Sequence, residues 1–327
     1  MTNWRAALLR LVGRTQRTSL AAGLALAMLA QPAFALDKLT VLLDWFINPD
    51  HAPMMVAEYI GAFRQAGLDV TFVSPADPSM PARLVAAKYG DIAIASQSTL
   101  YIYDQQGLPL VRVGTLMNAP LASLASIETQ SIHRIADLKG RRIGMSNISP
   151  QLSAVSLATM LGTAGLTLED VKIVNIGDQL VTSLLTHQVD AVPVVRTFET
   201  IELTEHGARP IEFNYEDYGV PPNDAFIYVV RRDRVHDPRI IRFLAAVRKG
   251  SVYLKAHPDQ SLAMFLAAHP DLNNPLNRAA WYASLPYFAQ DPVALNRARY
   301  EAYADFLVQK HVLKTKPPLE TYAVELR

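Results

Sequence analysis

Short apolar runs alternate with helix-length segments through most of the chain. The runs "LTVLLDW", "LDVTFVS" and "DIAIAS" are too short for anything but strands, and "MMVAEYIGAFRQA" and "PARLVAAKYG" between them have helical spacing. A second set repeats this order with "RIGMS", "SAVSLATMLGTAG", "VKIVNIG", "LVTSLLTHQ", "VDAVPVV" and "TFETIELTEHG". The alternation predicts right-handed βαβ units and open, parallel, doubly wound sheets with helices on both faces.

The remainder of the chain is predicted to be helical. From about Asp237 the pattern is helical throughout, with breaks at Pro258, Pro270, Pro275 and Pro292. The strand-like run "NDAFIYVV" precedes this tail and follows the loop "YGVPP". We therefore expect two lobes in an α/β fold joined by a two-segment hinge. Residues 36–121 and 223–327 form a discontinuous lobe one, and residues 122–222 form lobe two.

The first 35 residues have the pattern of a secretory leader. Four arginines and no acidic residue precede the apolar stretch "LAAGLALAMLA", and the small residues "AFA" follow it. Removal of residues 1–35 would leave a small excess of acidic over basic residues, which argues against a polyanionic partner. The chain contains no cysteine, so disulfides, thiol nucleophiles and a lipid-anchored N-terminus are excluded. We expect a periplasmic, monomeric protein that does not bind nucleic acid.

An unusual group of side chains follows the first predicted strand. Ligands of open α/β sheets bind in the crevice outside the carboxyl ends of the strands, so this group is the first candidate for a binding site. Its members in "LDWFINPDHAP" are Asp44, Trp45, Phe46, Asn48, Asp50 and His51. Trp45 also fits a core position, Asn48 also fits a turn with Asp50 as a helix cap, and His51 also fits a local hydrogen-bonding role.

Further candidates occupy the ends of other predicted strands. Ser96 and Gln97 follow "DIAIA", where they could bind a ligand or only cap the next helix. Asn147 follows "RIGMS" in lobe two as a weaker candidate. The last group follows "VDAVPVV" and consists of Arg196, Phe198 and Glu199.

The motifs "LDWFINPDHAP", "VAEYIGAFRQAGLDV", "GDIAIAS" and "IADLKGRRIGMS" support a specific resemblance. Together they resemble the periplasmic solute-binding proteins that deliver thiamine-pyrimidine precursors to ABC importers, within the superfamily that includes thiamine-pyrimidine synthases. The resemblance implies a type-two periplasmic binding protein fold that closes over a small heteroaromatic solute. It implies that Glu199 is a ring-binding acid, whereas Arg196 has no counterpart in the precursor binders.

The chemistry of the first motif agrees with such a ligand. A planar heterocycle is held best by aromatic faces with a few directed hydrogen bonds, which Trp45, Phe46 and Asn48 can supply. The resemblance also leaves riboflavin precursors, sulfonates, taurine and nitrate as alternatives, because the same scaffold serves them, and Arg196 favours an anion. The chain is predicted to deliver its solute to an ABC permease in the inner membrane.

A synthase is the alternative from another class. Those relatives resemble this chain but carry a cofactor-binding lysine and a histidine where it has Ala95 and Thr99, and they carry a cysteine cluster that it lacks. None of the eight histidines forms a metal-binding pair such as H-E-x-x-H. We therefore predict a binding protein without catalytic residues, metal or cofactor.

Overall fold

A computed structural model describes residues 35–146 and 149–326. The predicted leader, apart from Ala35, lies outside these residues, as does Asn147. Contacts gather Asp37–Arg327 into one compact unit. Ten strands are described: β1 (Asp37–Leu42), β2 (Leu68–Val73), β3 (Ile92–Ala95), β4 (Leu110–Met117), β5 (Ala122–Ile127), β6 (Arg142–Met145), β7 (Lys172–Asn175), β8 (Val192–Val195), β9 (Pro210–Asn214) and β10 (Phe226–Arg231).

The strands form two sheets with matching topology. The first has the order β2-β1-β3-β10-β4, in which β10 is antiparallel to β3 and β4. In the second, β8-β5-β9 joins β6-β7 through a parallel bridge between Ile143 and Ala191, and β5 is antiparallel to β8 and β9. Both sheets are therefore mixed, not parallel throughout as expected, because each contains an antiparallel strand that follows a crossing between the sheets.

Eleven helices of four residues or more in α conformation flank the sheets in the described part of the chain. They are α1 (Ala52–Tyr59), α2 (Ala62–Gln65), α3 (Pro81–Ala86), α4 (Gln97–Gln105), α5 (Pro150–Gly162), α6 (Leu180–Leu185), α7 (Glu199–Glu205), α8 (Pro238–Ala256), α9 (Pro258–Ala268), α10 (Pro275–Ser284) and α11 (Arg297–Gln309). The single helix expected over 54–66 is divided, because Gly61 takes a left-handed conformation with φ of 70°. The helical C-terminal region is confirmed.

Helix starts in this region follow from the sequence. Pro238, Pro258 and Pro275 each open a helix, where the missing proline N–H costs no hydrogen bond. Asp237 caps α8 by accepting a hydrogen bond from the backbone N–H of Arg239. Two of the prolines expected to break the tail therefore begin new helices within it.

Two connections run between the sheets, and the buried carboxylate of Asp224 anchors both of them. One connection joins β4 to β5, and the other leads from β9 to β10. Asp224 accepts hydrogen bonds from the hydroxyls of Thr115 and Tyr300 and pairs with Arg299 of α11. Arg299 also donates to the carbonyl of Asn118 in the first connection. The lobe boundaries 36–121, 122–222 and 223–327 stay a prediction.

Helix α8 lies close against α1, the helix that follows the polar loop after β1. At Gly250 a Cβ would lie only 2.2 Å from the carbonyl oxygen of Pro53 and 2.8 Å from the backbone nitrogen of Ala57. Neither is a side-chain end that could rotate away. The close approach of these two helices therefore requires glycine at this position.

We expect Gly250→Ala to lower the free energy of unfolding by about 1–3 kcal/mol or more, because the added methyl group forces α1 and α8 apart. Gly162→Ala is the matched control. Gly162 is the exposed last residue of α5, and a Cβ there would meet no atom within 4 Å. Chemical denaturation of both variants measures the difference. Equal stabilities would contradict the close packing.

Candidate functional site

A cavity of about 570 Å³ lies where the strands of both sheets end. This is the crevice in which ligands of open α/β sheets bind, and its volume suits a small organic molecule. Residues that follow the carboxyl ends of five strands contribute to its wall: Asp44 and Trp45 after β1, Ser96 after β3, Ser146 after β6, Phe198 and Glu199 after β8, and Tyr215 and Glu216 after β9.

The loop after β1 is held by its own hydrogen bonds. The Asn48 side chain accepts from the backbone N–H of Asp50 at 2.8 Å and donates to the carbonyl of Phe46 at 3.2 Å. The His51 ring accepts from the backbone N–H of Asn48 and contacts Asp44 at 3.0 Å. Asn48 therefore reaches the cavity wall but acts mainly as a turn cap. His51 is buried and does not line the cavity, which favours its local role.

The two aromatic residues of this loop have different surroundings. Trp45 is half-buried and lines the cavity. Phe46 packs edge-on against Trp45 with ring centroids 5.8 Å apart, but it is 62% exposed and does not line the cavity. Of these two residues only Trp45 lines the cavity, and Phe46 contacts its ring from outside.

Glu199 begins α7 and is half-buried in the cavity wall. One of its carboxyl oxygens accepts a hydrogen bond from the backbone N–H of Val195 at 2.8 Å. The pKa of Glu199 is raised to about 7, mainly by burial away from water and to a smaller degree by the nearby Asp50 carboxylate, whereas the bond from Val195 acts in the opposite direction. Glu199 can therefore be either a proton donor or an acceptor near neutral pH.

Arg196 is engaged by protein groups and does not line the cavity. Its guanidinium donates to the carbonyl of Pro120 and pairs with the Glu216 carboxylate at 2.9 Å. Only 18% of its side chain is exposed. Arg196, which favoured an anionic ligand, therefore supports the connection between β4 and β5 instead.

The remaining candidates either line the cavity or are held by other protein groups away from it. Ser96 lines the cavity and caps α4 by accepting from the backbone N–H of Thr99. Phe198 also lines the cavity. Gln97 is fully buried, where its side chain donates to the Tyr101 hydroxyl and accepts from the backbone N–H of Asp224. It supports the crossing strand from behind the cavity. Asn147 lies outside the described residues.

Asp50 and Glu216 also line the cavity, although the sequence suggested Asp50 only as a helix cap and did not indicate Glu216. Asp50 is buried and accepts hydrogen bonds from Ser284 at 2.6 Å and from Thr197 at 3.2 Å, and burial raises its pKa. Glu216 is the partner of Arg196. Asp50 belongs to the distinctive first motif, which could have indicated it. No local pattern distinguished Glu216 from other surface acids.

The aspartate and glutamate side chains of the cavity wall have no basic side chain among them in residues 35–146 and 149–326. Six acidic residues line it, and no lysine, arginine or histidine does so in the described part of the chain. The acidic residues are Asp44, Asp50, Asp178, Glu199, Glu202 and Glu216. Such a wall favours ligands that donate hydrogen bonds or carry positive charge.

Residues 35–146 and 149–326 contain no group of three or more histidine or acidic side chains arranged to hold a metal ion. None of their helices combines the length and apolar character needed to span a bilayer.

The chain has the periplasmic binding protein fold. The alkanesulfonate-binding protein SsuA from Xanthomonas axonopodis superposes with a TM-score of 0.69 at 16% identity, over 90% of this chain and 99% of its own. The NMT1/THI5-like family matches residues 48–261, and the chain belongs to that family.

Three relatives have informative names. A Haemophilus influenzae protein named for thiamine biosynthesis is 40% identical over 91% of this chain and 95% of its own length. The formylaminopyrimidine-binding protein of Halalkalibacterium halodurans is 29% identical over 74% of each chain. A 4-amino-5-hydroxymethyl-2-methylpyrimidine phosphate synthase of Legionella pneumophila is 24% identical over 80% of this chain and 83% of its own. The family thus includes proteins named as binders and others named as enzymes.

We expect Glu199→Gln to change how stability depends on pH. The folded protein holds the Glu199 proton up to about pH 7, whereas the unfolded chain releases it near 4.5. Stability of the wild type relative to the variant should therefore fall by roughly 2–3 kcal/mol as pH rises through that window. Unfolding free energies of both proteins at pH 5 and pH 8 measure this difference. Parallel pH profiles would contradict the raised pKa.

Proposed function

We propose that this protein is the extracytoplasmic solute-binding component of an ABC importer and that it binds a thiamine-related aminopyrimidine. One observation carries the proposal: the cavity combines an aromatic face from Trp45 with the Glu199 carboxyl, and no basic side chain of the described residues lines it. A planar ring fits the aromatic face, and an amine-bearing ring fits the acidic wall.

Glu199 matches the hydrogen-bonding edge of an aminopyrimidine. That edge presents an amino donor beside a ring nitrogen acceptor. A protonated carboxyl offers the complementary acceptor and donor, and the pKa of about 7 makes this form available at neutral pH. An ionised Glu199 could instead accept from the amine and from a protonated ring. Both protonation states of Glu199 can therefore bind an aminopyrimidine, whereas an anionic solute lacks this match.

The transport role is supported by fold and family. The chain has the two-lobed architecture of solute-binding proteins, and a relative is named for binding formylaminopyrimidine. The leader-like residues 1–35 support export to the periplasm. We propose that the protein acts there as a monomer and passes its ligand to a permease in the inner membrane.

An anionic solute is a second candidate, because α4 and α5 begin at the cavity. Their capping residues Ser96 and Ser149 both line it, and helix N-termini favour anions. Each terminus carries only about half a unit of positive charge. The acidic side chains of the wall outweigh these termini, and Arg196 is already paired with Glu216. The aminopyrimidine therefore remains the better match.

Catalysis is the third possibility, because several relatives are named as synthases. The resemblance implies that such enzymes need a lysine and a histidine at positions occupied here by Ala95 and Thr99. Both residues line the cavity, and neither can form a Schiff base or transfer a ring nitrogen. We propose binding without turnover.

We expect Trp45→Ala to weaken binding of a hydroxymethyl aminopyrimidine to residues 36–327 by roughly tenfold to a hundredfold, because stacking contributes about 1–3 kcal/mol. Phe46→Ala is the matched control: it removes the neighbouring ring, which is exposed and outside the cavity wall. Its effect should be much smaller. Isothermal titration calorimetry measures both affinities.

Three outcomes of this titration would argue against the proposal. Tight binding of an alkanesulfonate with no pyrimidine binding would favour the anionic alternative. Conversion of the pyrimidine or of an added cofactor would favour an enzyme. A Trp45→Ala protein that unfolds easily, while its folded fraction binds normally, would place Trp45 in the core.

A further inference from the structure

Two contacts fix the position of the His51 ring. Its Nδ1 atom accepts from the backbone N–H of Asn48 at 3.3 Å. Its Nε2 atom lies 3.0 Å from Oδ1 of Asp44. His51 therefore orients the Asp44 carboxyl group.

Asp44 differs from the other buried or half-buried acids of the cavity wall. Glu216 is paired with the Arg196 guanidinium, and Asp50 accepts two hydroxyl hydrogen bonds. The raised pKa of Glu199 allows that residue to keep its proton near neutral pH, and burial also raises the pKa of Glu202. No lysine or arginine of residues 35–146 and 149–326 pairs with Asp44, whose side chain is 24% exposed. Asp44 is thus an oriented carboxyl group at the cavity with no lysine or arginine paired to it.

The neighbouring residue completes a surface suited to a cation. Trp45 lines the same wall directly after Asp44 in the chain. Aromatic faces attract ammonium groups through the ring quadrupole, and a carboxylate adds a charge-assisted hydrogen bond. A neutral hydroxyl or a phosphate gains little from this pair, and a phosphate is repelled by it.

We propose that the natural ligand is an aminopyrimidine whose side arm carries a protonated amine, and that Asp44 binds this ammonium beside Trp45. This inference rests on the proposed function and adds the charge of the ligand. Glu199 binds the ring edge, Asp44 binds the arm, and His51 is a positioning residue that holds Asp44. A phosphorylated pyrimidine should bind more weakly, because Asp44 repels its phosphate.

The test compares two compounds that differ only in the arm. One is the hydroxymethyl aminopyrimidine, and the other has an aminomethyl group in its place. We expect the wild-type protein to bind the aminomethyl compound at least about tenfold more tightly, since hydrogen bonds to charged groups are the stronger ones. In Asp44→Asn this preference should fall below about threefold, with little change in affinity for the hydroxymethyl compound.

Asparagine still offers an acceptor to His51, so Asp44→Asn removes the charge but keeps the loop geometry. Asp178→Asn is the matched control, because Asp178 is an exposed acid of the same cavity wall. It should retain the aminomethyl preference. Unfolding curves of both variants confirm that the proteins compared are folded.

Equal wild-type affinities for the two compounds would overturn the inference and leave the aminopyrimidine function intact. An unchanged preference in Asp44→Asn, or an equal loss in Asp178→Asn, would also overturn it, because the general acidity of the wall would then be responsible. Failure of both compounds to bind would overturn the proposed function and this inference together.

Discussion

The two-lobed arrangement depends on one buried carboxylate. Asp224 receives hydrogen bonds from β4 and from α11 at the place where the chain passes between the sheets. A buried charge is tolerated only when donors surround it, so these groups hold the crossing in a single arrangement. Gln97 binds the backbone of the same residue from the first turn of α4, which contributes to the cavity wall. The crossing and the binding site therefore share one support.

The acids of the cavity show how one fold can be adapted to different ligands. The overall architecture is similar to that of an alkanesulfonate-binding protein at only 16% identity, so the fold does not determine which solute is bound. Ligand specificity depends on whether each ionisable side chain near the cavity is paired with other protein groups or left to line the cavity. Here the Arg196 guanidinium is held in an ion pair with Glu216, whereas several other carboxyl groups line the cavity.

Local sequence patterns predicted the parts of the structure that depend on near neighbours. Trp45, Ser96 and Glu199 could be chosen because polar or aromatic residues end short apolar runs, and all three line the cavity. The positions of Arg196 and Gln97 depend on groups that lie far away in the chain, such as Pro120 and Asp224. No spacing rule reveals such partners.

Prediction of the strands was limited in the same way. Strands β4, β5 and β9 were missed because no helical segment separates β4 from β5 and because β5 is rich in serine and alanine. Their antiparallel partners are set by the chain crossing between sheets. Asn48 illustrates a different difficulty, since the same amide could bind a ligand or cap a turn, and only coordinates show the turn bonds.

The position of β10 also affects how the protein reaches its native state. This strand lies between β3 and β4, yet every residue of the second sheet precedes it in the chain after β4. The first sheet therefore cannot close until the whole second sheet has been synthesised, and pairings so distant in sequence form slowly. During that delay the inner edges of β3 and β4 remain unpaired. In a chain of this topology the centre of the first sheet is completed late in folding, after the segments of the second sheet are available.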